Sequence, residues 1–237
     1  MDLIALRIIR HSDRHSILRA LSRENGVVAL LVPATASREA RRLRALVSPL
    51  SAITCEAKLL HARDIHTMRD VKPLRTLHNI PVNPMRAALA IFTADFLNSF
   101  MRDGQPDPLI FDYTLQASEV LNVTPVPRLL NYHICFLRHL AALAGIEPDF
   151  ATWRPGSVFD MHDGIFRPTA PMHNLWLPAP QAEAVARLER ITWANMHLYT
   201  MTRNERNDLL DGILRYYTLH FSRLTLPSLE ILRSLSC

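Results

Sequence analysis

Glycine is scarce in this chain: six in 237 residues. Neither a GxxxxGK[ST] loop nor a GxGxxG turn can be assembled from them, so the sequence carries no phosphate-cradling or dinucleotide-binding signature. Cysteine is scarcer still, with Cys55, Cys135 and Cys237 far apart and no CxxC pair. That excludes a zinc ribbon and argues against a disulfide framework; Cys55 and Cys135 read as small core residues, and a reducing cytoplasm fits the chain best. No GxSxG elbow is present, and no run of about 18 apolar residues that would span a membrane. The N-terminus does not read as a secretory signal. Residues 1–75 lack Phe, Tyr and Trp altogether, which removes the usual platforms for base stacking.

What is present is arginine. Net charge is +5 with a pI near 9.5, and lysine occurs only at Lys58 and Lys72. Residues 1–75 hold 14 basic and 7 acidic side chains, a net of +7, whereas residues 76–237 hold 13 and 15, a net of −2. A basic segment of this kind is the footprint of a polyanion partner, and guanidinium suits phosphate. Arg7, Arg10, Arg14 and Arg19 accompany the first two strand-like segments. Arg38, Arg41, Arg42 and Arg44 crowd into SREARRLRALVS (residues 37–48), read as a basic loop. Lys58, Arg63, Arg69 and Lys72 decorate the last two. With no aromatics beside them, these residues predict binding dominated by the phosphate backbone, indifferent to sequence and sensitive to salt.

The apolar pattern of the first third predicts five short strands: residues 3–9, 16–22, 27–32, 50–60 and 64–74. ENG (24–26) supplies a turn with Gly26 at positive φ, and the whole suggests a small closed barrel. HNIPVNP (78–84) marks a boundary, so we expect a barrel domain over 1–77 and an all-α domain over 78–237. Helices are predicted over 85–103, with Ala88, Phe92, Phe96 and Phe100 on one face, and over 108–122, 126–145, 181–196, 204–221 and 227–235. Residues 149–177 are irregular, with a hairpin turned at Asp163-Gly164. There Asp160, His162, Asp163 and His173 lack metal-ligand spacing and read as exposed hairpin residues, while His61 and His66 read as surface or groove residues.

The order of these segments resembles the bacterial recombination protein O (RecO) family, in particular its shorter Bacteroidetes-like members. The resemblance is carried by SDRHSILRALSRENGVVALLV and the basic run leading into SPLSAITCEA. It continues in DIHTMRDVKPLRTLHNIPVNPMRAALAIFTADFLNSFMRDGQPDPLIFDYTLQASEVLN, NYHICFLRHLAALAGIEPD and NDLLDGILRYYTLHFSRLTLPSLEIL. It implies an α+β chain: a five-stranded OB-fold barrel, then a helical domain. It implies a recombination mediator in DNA repair that binds single- and double-stranded DNA, anneals strands, and with RecR helps load RecA onto strands coated by SSB. The implied partners are DNA, RecR and the SSB C-terminal tail, with RecA and RecF indirect; no catalytic activity and no cofactor are implied. Many relatives carry four zinc-binding cysteines in the segment matching 149–177, and this chain has none, so no zinc is expected. Thr35 stands where the family's basic loop has glycine, and arginines replace its lysines. The segment implicated in tail recognition matches VPRLLNYHICFLRHL, where Leu129, Tyr132 and Phe136 form an apolar stripe with Arg128 and Arg138 near its edges. An RNA-binding OB protein and a protein-interaction scaffold with an incidental basic barrel are the competing readings.

Overall fold

In the computed structural model, residues 1–59, 64–221 and 224–235 are described. Arg63, His61 and Cys237 lie outside them. The chain divides into two compact units, Met1–Thr124 with Thr225–Leu235, and Pro125–Leu224.

The first unit begins with β1 (Asp2–Arg10), β2 (His15–Ser22) and β3 (Gly26–Pro33), then α1 (Arg38–Leu46), β4 (Ala52–Ala57) and β5 (Ile65–Pro73). The strands close into a barrel in the order β1-β2-β3-β5-β4, with β1 and β4 completing the ring and β3 pairing β5 in parallel. This is the OB-fold barrel. Alternation places Leu3, Ala5, Leu18, Ala20, Val28, Leu30, Val32 and Ile53 in its core, with Cys55 beside them. A bulge between Ala5 and Arg7 re-aims the outer half of β1. Gly26 adopts φ +67°, and a Cβ there would stand 2.6 Å from the backbone of Gln105, so the turn requires glycine for conformation and for space.

Residues 37–48 are not a loop. Ser37 caps α1, its hydroxyl accepting from the Ala40 amide at 3.1 Å. Ala40 and Val47 are buried, while Leu43 and Leu46 pack against the barrel core. The apolar residues recur at helical spacing, and Arg38, Arg41 and Arg42 occupy the opposite, exposed face.

Next come α2 (Asn79–Val82), α3 (Pro84–Phe100) and α4 (Pro108–Val123). Asn83 and Asp107 cap the latter two, each followed by proline at the first helical position. The sequence predicts a single apolar face for α3. Instead Leu89, Ala90, Thr93, Ala94 and Leu97 are buried along with Ala88, Phe92 and Phe96, because the helix lies among β1, α4 and the last helix of the chain.

The second unit contains α5 (Tyr132–Leu143), a three-stranded sheet ordered β7-β6-β8 from β6 (Val158–Asp160), β7 (Ile165–Arg167) and β8 (Trp176–Leu177), then α6 (Ala179–Arg187) and α7 (Arg203–His220). The hairpin at Asp163-Gly164 is present, with Gly164 at φ +70°. The helix predicted over 126–145 is interrupted: Val126–Arg128 is a 3₁₀ turn and α5 starts at Tyr132. Asn131 is drawn off the helical path by tertiary bonds, donating to the carbonyls of Met196 and Tyr199 at 2.9 and 2.7 Å. The helix predicted over 181–196 stops at Arg187. Beyond it Asn195 accepts from the Thr192 amide at 2.7 Å and donates to the Arg190 carbonyl at 2.9 Å, local bonds that compete with helix. Thr202 and Glu205 form a capping box on α7. α8 (Leu229–Leu235) returns to the first unit, where the Ser228 amide donates to Asp95.

Candidate nucleic-acid interface

The basic residues of the first third separate into three kinds. Arg7, Arg10 and Arg14, on the outer half of β1 and the β1–β2 turn, are exposed, as are Arg38, Arg41 and Arg42 on α1. The spacing i, i+3, i+4 gathers the three α1 guanidiniums on one solvated helix face. The Ala34 amide donates to the Arg14 carbonyl at 2.8 Å, joining the segment that leads into α1 to the β1–β2 turn, and His15 pairs Pro33 across the sheet. The structure therefore brings the turn arginine and the α1 cluster to one end of the barrel. The Arg10–Asp13 pair, 2.9 Å apart with side chains 80% and 96% exposed, is screened by water and holds Arg10 only weakly.

Arg44 is a brace. Its guanidinium donates to the carbonyls of Pro33 and Thr35 at 3.2 and 2.9 Å, tying α1 to the end of β3. Here Thr35 supplies a carbonyl acceptor in the approach to the helix.

Arg19 is also committed, to partners about 80 residues away that no local sequence window contains. It donates to Asn98 at 2.8 Å and to both carboxylate oxygens of Asp103 at 2.6 and 3.3 Å. Arg23 grips Asp112 in the same bidentate way at 2.8 and 3.0 Å, which holds the Asp112 carboxyl below its usual range, and Arg75 pairs Glu119 at 2.5 Å. Three of the seven excess positive charges of residues 1–75 are thus balanced by carboxylates from later in the chain, leaving about +4 for an external anion.

Lys58, Arg69 and Lys72 are exposed on β5 and just past β4. Lys58 and Arg69 line a shallow groove of about 560 Å³ that also contains Glu56. They form a second, weaker basic strip.

The apolar stripe of the second unit is interior. Leu129, Tyr132 and Phe136 are 0% exposed, Tyr132 stacking on Trp193 and Phe136, so the stripe offers no surface to a peptide. Arg128 is exposed. Arg138 is engaged with the carbonyls of Leu188 and Glu189 and with the Glu147 carboxylate at 2.7 Å, and it lies over the Phe150 ring. Burial marks these three apolar residues as core, a distinction helical spacing alone does not make.

At the hairpin, Arg167 bridges Asp160 and Asp163, and the His162 Nδ1 lies 2.7 Å from Asp163. Asp160, 1% exposed, also accepts from the amides of His162 and Asp163. The carboxylates face a guanidinium, and among the described residues no group of three or more His, Cys, Asp or Glu side chains is arranged to hold a metal. Cys55 and Cys135 are buried, and burial raises the Cys135 thiol to about 12, which leaves it unreactive. No described helix is long and apolar enough to cross a membrane.

Residues 82–230 match the family model described as "Recombination protein O C terminal". A protein named "DNA repair protein RecO" from Azobacteroides pseudotrichonymphae is 30% identical over 232 residues, covering 98% of this chain and 96% of its own. Proteins of the same name from Porphyromonas gingivalis and Bacteroides fragilis are 33% and 29% identical, each covering 98% of this chain and 94% of its own.

Proposed function

The chain belongs to the recombination protein O family, and from that premise we propose that it is a recombination mediator in DNA repair whose OB barrel binds the phosphate backbone of single- and double-stranded DNA without sequence preference. The observation that carries this reading is the exposed set Arg38, Arg41 and Arg42, joined through the Arg14 carbonyl to the β1–β2 turn. Loops and helices at one end of an OB barrel are a recurrent place for oligonucleotide backbones. Without a Phe, Tyr or Trp in residues 1–75, affinity comes from charge rather than from stacking, so the protein tolerates any base and responds strongly to salt.

Annealing follows from the same property: a surface that neutralises phosphates while leaving bases unread lets two complementary strands approach. The partners that the family implies, RecR and the acidic SSB tail, and through them RecA and RecF, belong to this proposal. So does a cytoplasmic, nucleoid-associated location. The tail's contact lies outside the buried Leu129–Tyr132–Phe136 stripe, with exposed Arg128 one cation available to it. No catalytic step belongs to this proposal.

Titrating fluorescein-labelled single-stranded DNA, duplex DNA and RNA of unrelated sequences at several salt concentrations tests it. Similar affinity for unrelated DNA sequences and a steep, parallel salt dependence are expected. A marked preference for RNA would move the chain to the RNA-binding reading, and affinity independent of salt would end the phosphate argument.

A further inference from the structure

Between α6 and α7 the second unit has a cleft of about 350 Å³ that the DNA reading does not use. Its floor is apolar, with Leu177, Leu188 and Leu209 each no more than 5% exposed. Gly212 of α7 completes the floor; a Cβ there would stand 3.3 Å from Leu177, so glycine keeps the helix close to β8. The rim carries three carboxylates, Glu183 from α6 and Glu205 and Asp208 from α7, against one guanidinium, Arg187. Glu205 is occupied by its capping box. Glu183 and Asp208 are exposed, and among the described residues neither makes a side-chain hydrogen bond or an ion pair.

We infer that this cleft docks a lysine- or arginine-bearing apolar helix of a partner protein. An apolar floor between two helices is a place where an amphipathic helix can be held by side chains at i, i+3 and i+4. The excess negative rim selects the charge of what enters. It repels nucleic-acid phosphates and acidic peptides alike, and it attracts a cation whose hydrocarbon stem can lie on leucine. The site is therefore separate from the phosphate-binding surface, and its ligand is of the opposite charge.

The test uses the full chain and a short fluorescein-labelled peptide of lysine and leucine, with leucines at helical spacing. The comparison peptide has glutamate in place of lysine. Anisotropy titration should show binding of the lysine peptide alone. Glu183→Lys/Asp208→Lys should weaken it at least tenfold, and Ala184→Trp, which fills the cleft without altering its charge, should do the same. Both variants should keep the parental melting temperature and DNA salt dependence. Equal binding of the glutamate peptide, or undiminished binding to either variant, would overturn the inference. So would complete displacement of the peptide by free spermidine at equal charge, since that ligand lacks the leucines the floor is argued to hold. Because DNA titrations of the same variants run in parallel, loss of peptide binding and failure of the DNA reading give different results.

Discussion

Replacing Arg38, Arg41 and Arg42 with alanine removes half of the six exposed arginines on the outer half of β1, the β1–β2 turn and α1, and leaves the supports of α1 in place. Ser37 still caps the helix, Leu43, Leu46 and Val47 still pack on the core, and Arg44 still braces Pro33 and Thr35. If all six contact phosphates of a single strand, log K falls with log salt at a slope of about −4, and the triple variant should retain about −2. Between about 50 and 200 mM salt the parent would lose affinity by a factor of about 300 and the variant by about 20. The loss should be the same for every sequence tested, because backbone contacts carry no base information. Fluorescence anisotropy across that salt range, with circular dichroism melting of both proteins, is the assay. A variant with the parental slope would place the phosphates elsewhere on the molecule. A drop in slope accompanied by a large fall in melting temperature would mean that the arginines act through the fold.

Arg19→Ala should behave in the opposite way: about 1–3 kcal/mol less stable through loss of charge-assisted bonds to Asn98 and Asp103, with its DNA salt slope nearly unchanged. A denaturant melt beside a DNA titration separates the two effects. Gly26→Ala should cost about 2–4 kcal/mol, combining positive φ with a backbone clash at Gln105, and a urea midpoint close to the parent's would refute the packing described for that turn. Bonds from His162 and Arg167 depress the Asp163 carboxyl, so its contribution is present above the ordinary aspartate pKa and is lost as pH falls through the lower folded value. Asp163→Asn should flatten the acid limb of the stability profile there, and an unchanged limb in thermal melts below about pH 4 would contradict the linkage. Arg206→Ala should destabilise by about 2–4 kcal/mol because it strands the buried Asn131 side chain and the Met201 carbonyl, whereas Arg206→Lys should recover part of the loss.

Much of the fold follows from short-range chemistry and is legible in the sequence. Short apolar runs located all five strands, and ENG and DG located two turns that demand positive φ. The boundary read at HNIPVNP falls at the start of α3, and the helix predicted from residue 108 begins there as α4. The charge division between residues 1–75 and the remainder pointed to the barrel as the basic region. What the sequence did not reveal depends on partners distant along the chain. The basic run is helical because its leucines find the barrel core, a surface no local window contains. Arg19, Arg23 and Arg75 look like free cations until residues 84, 89 and 44 positions away supply their carboxylates. Leu129, Tyr132 and Phe136 have the spacing of a surface stripe, yet Trp193 and the elements around α5 enclose them. Helical period specifies which residues share a face; only the three-dimensional neighbours specify whether that face meets water or protein, and so which arginines remain for a phosphate.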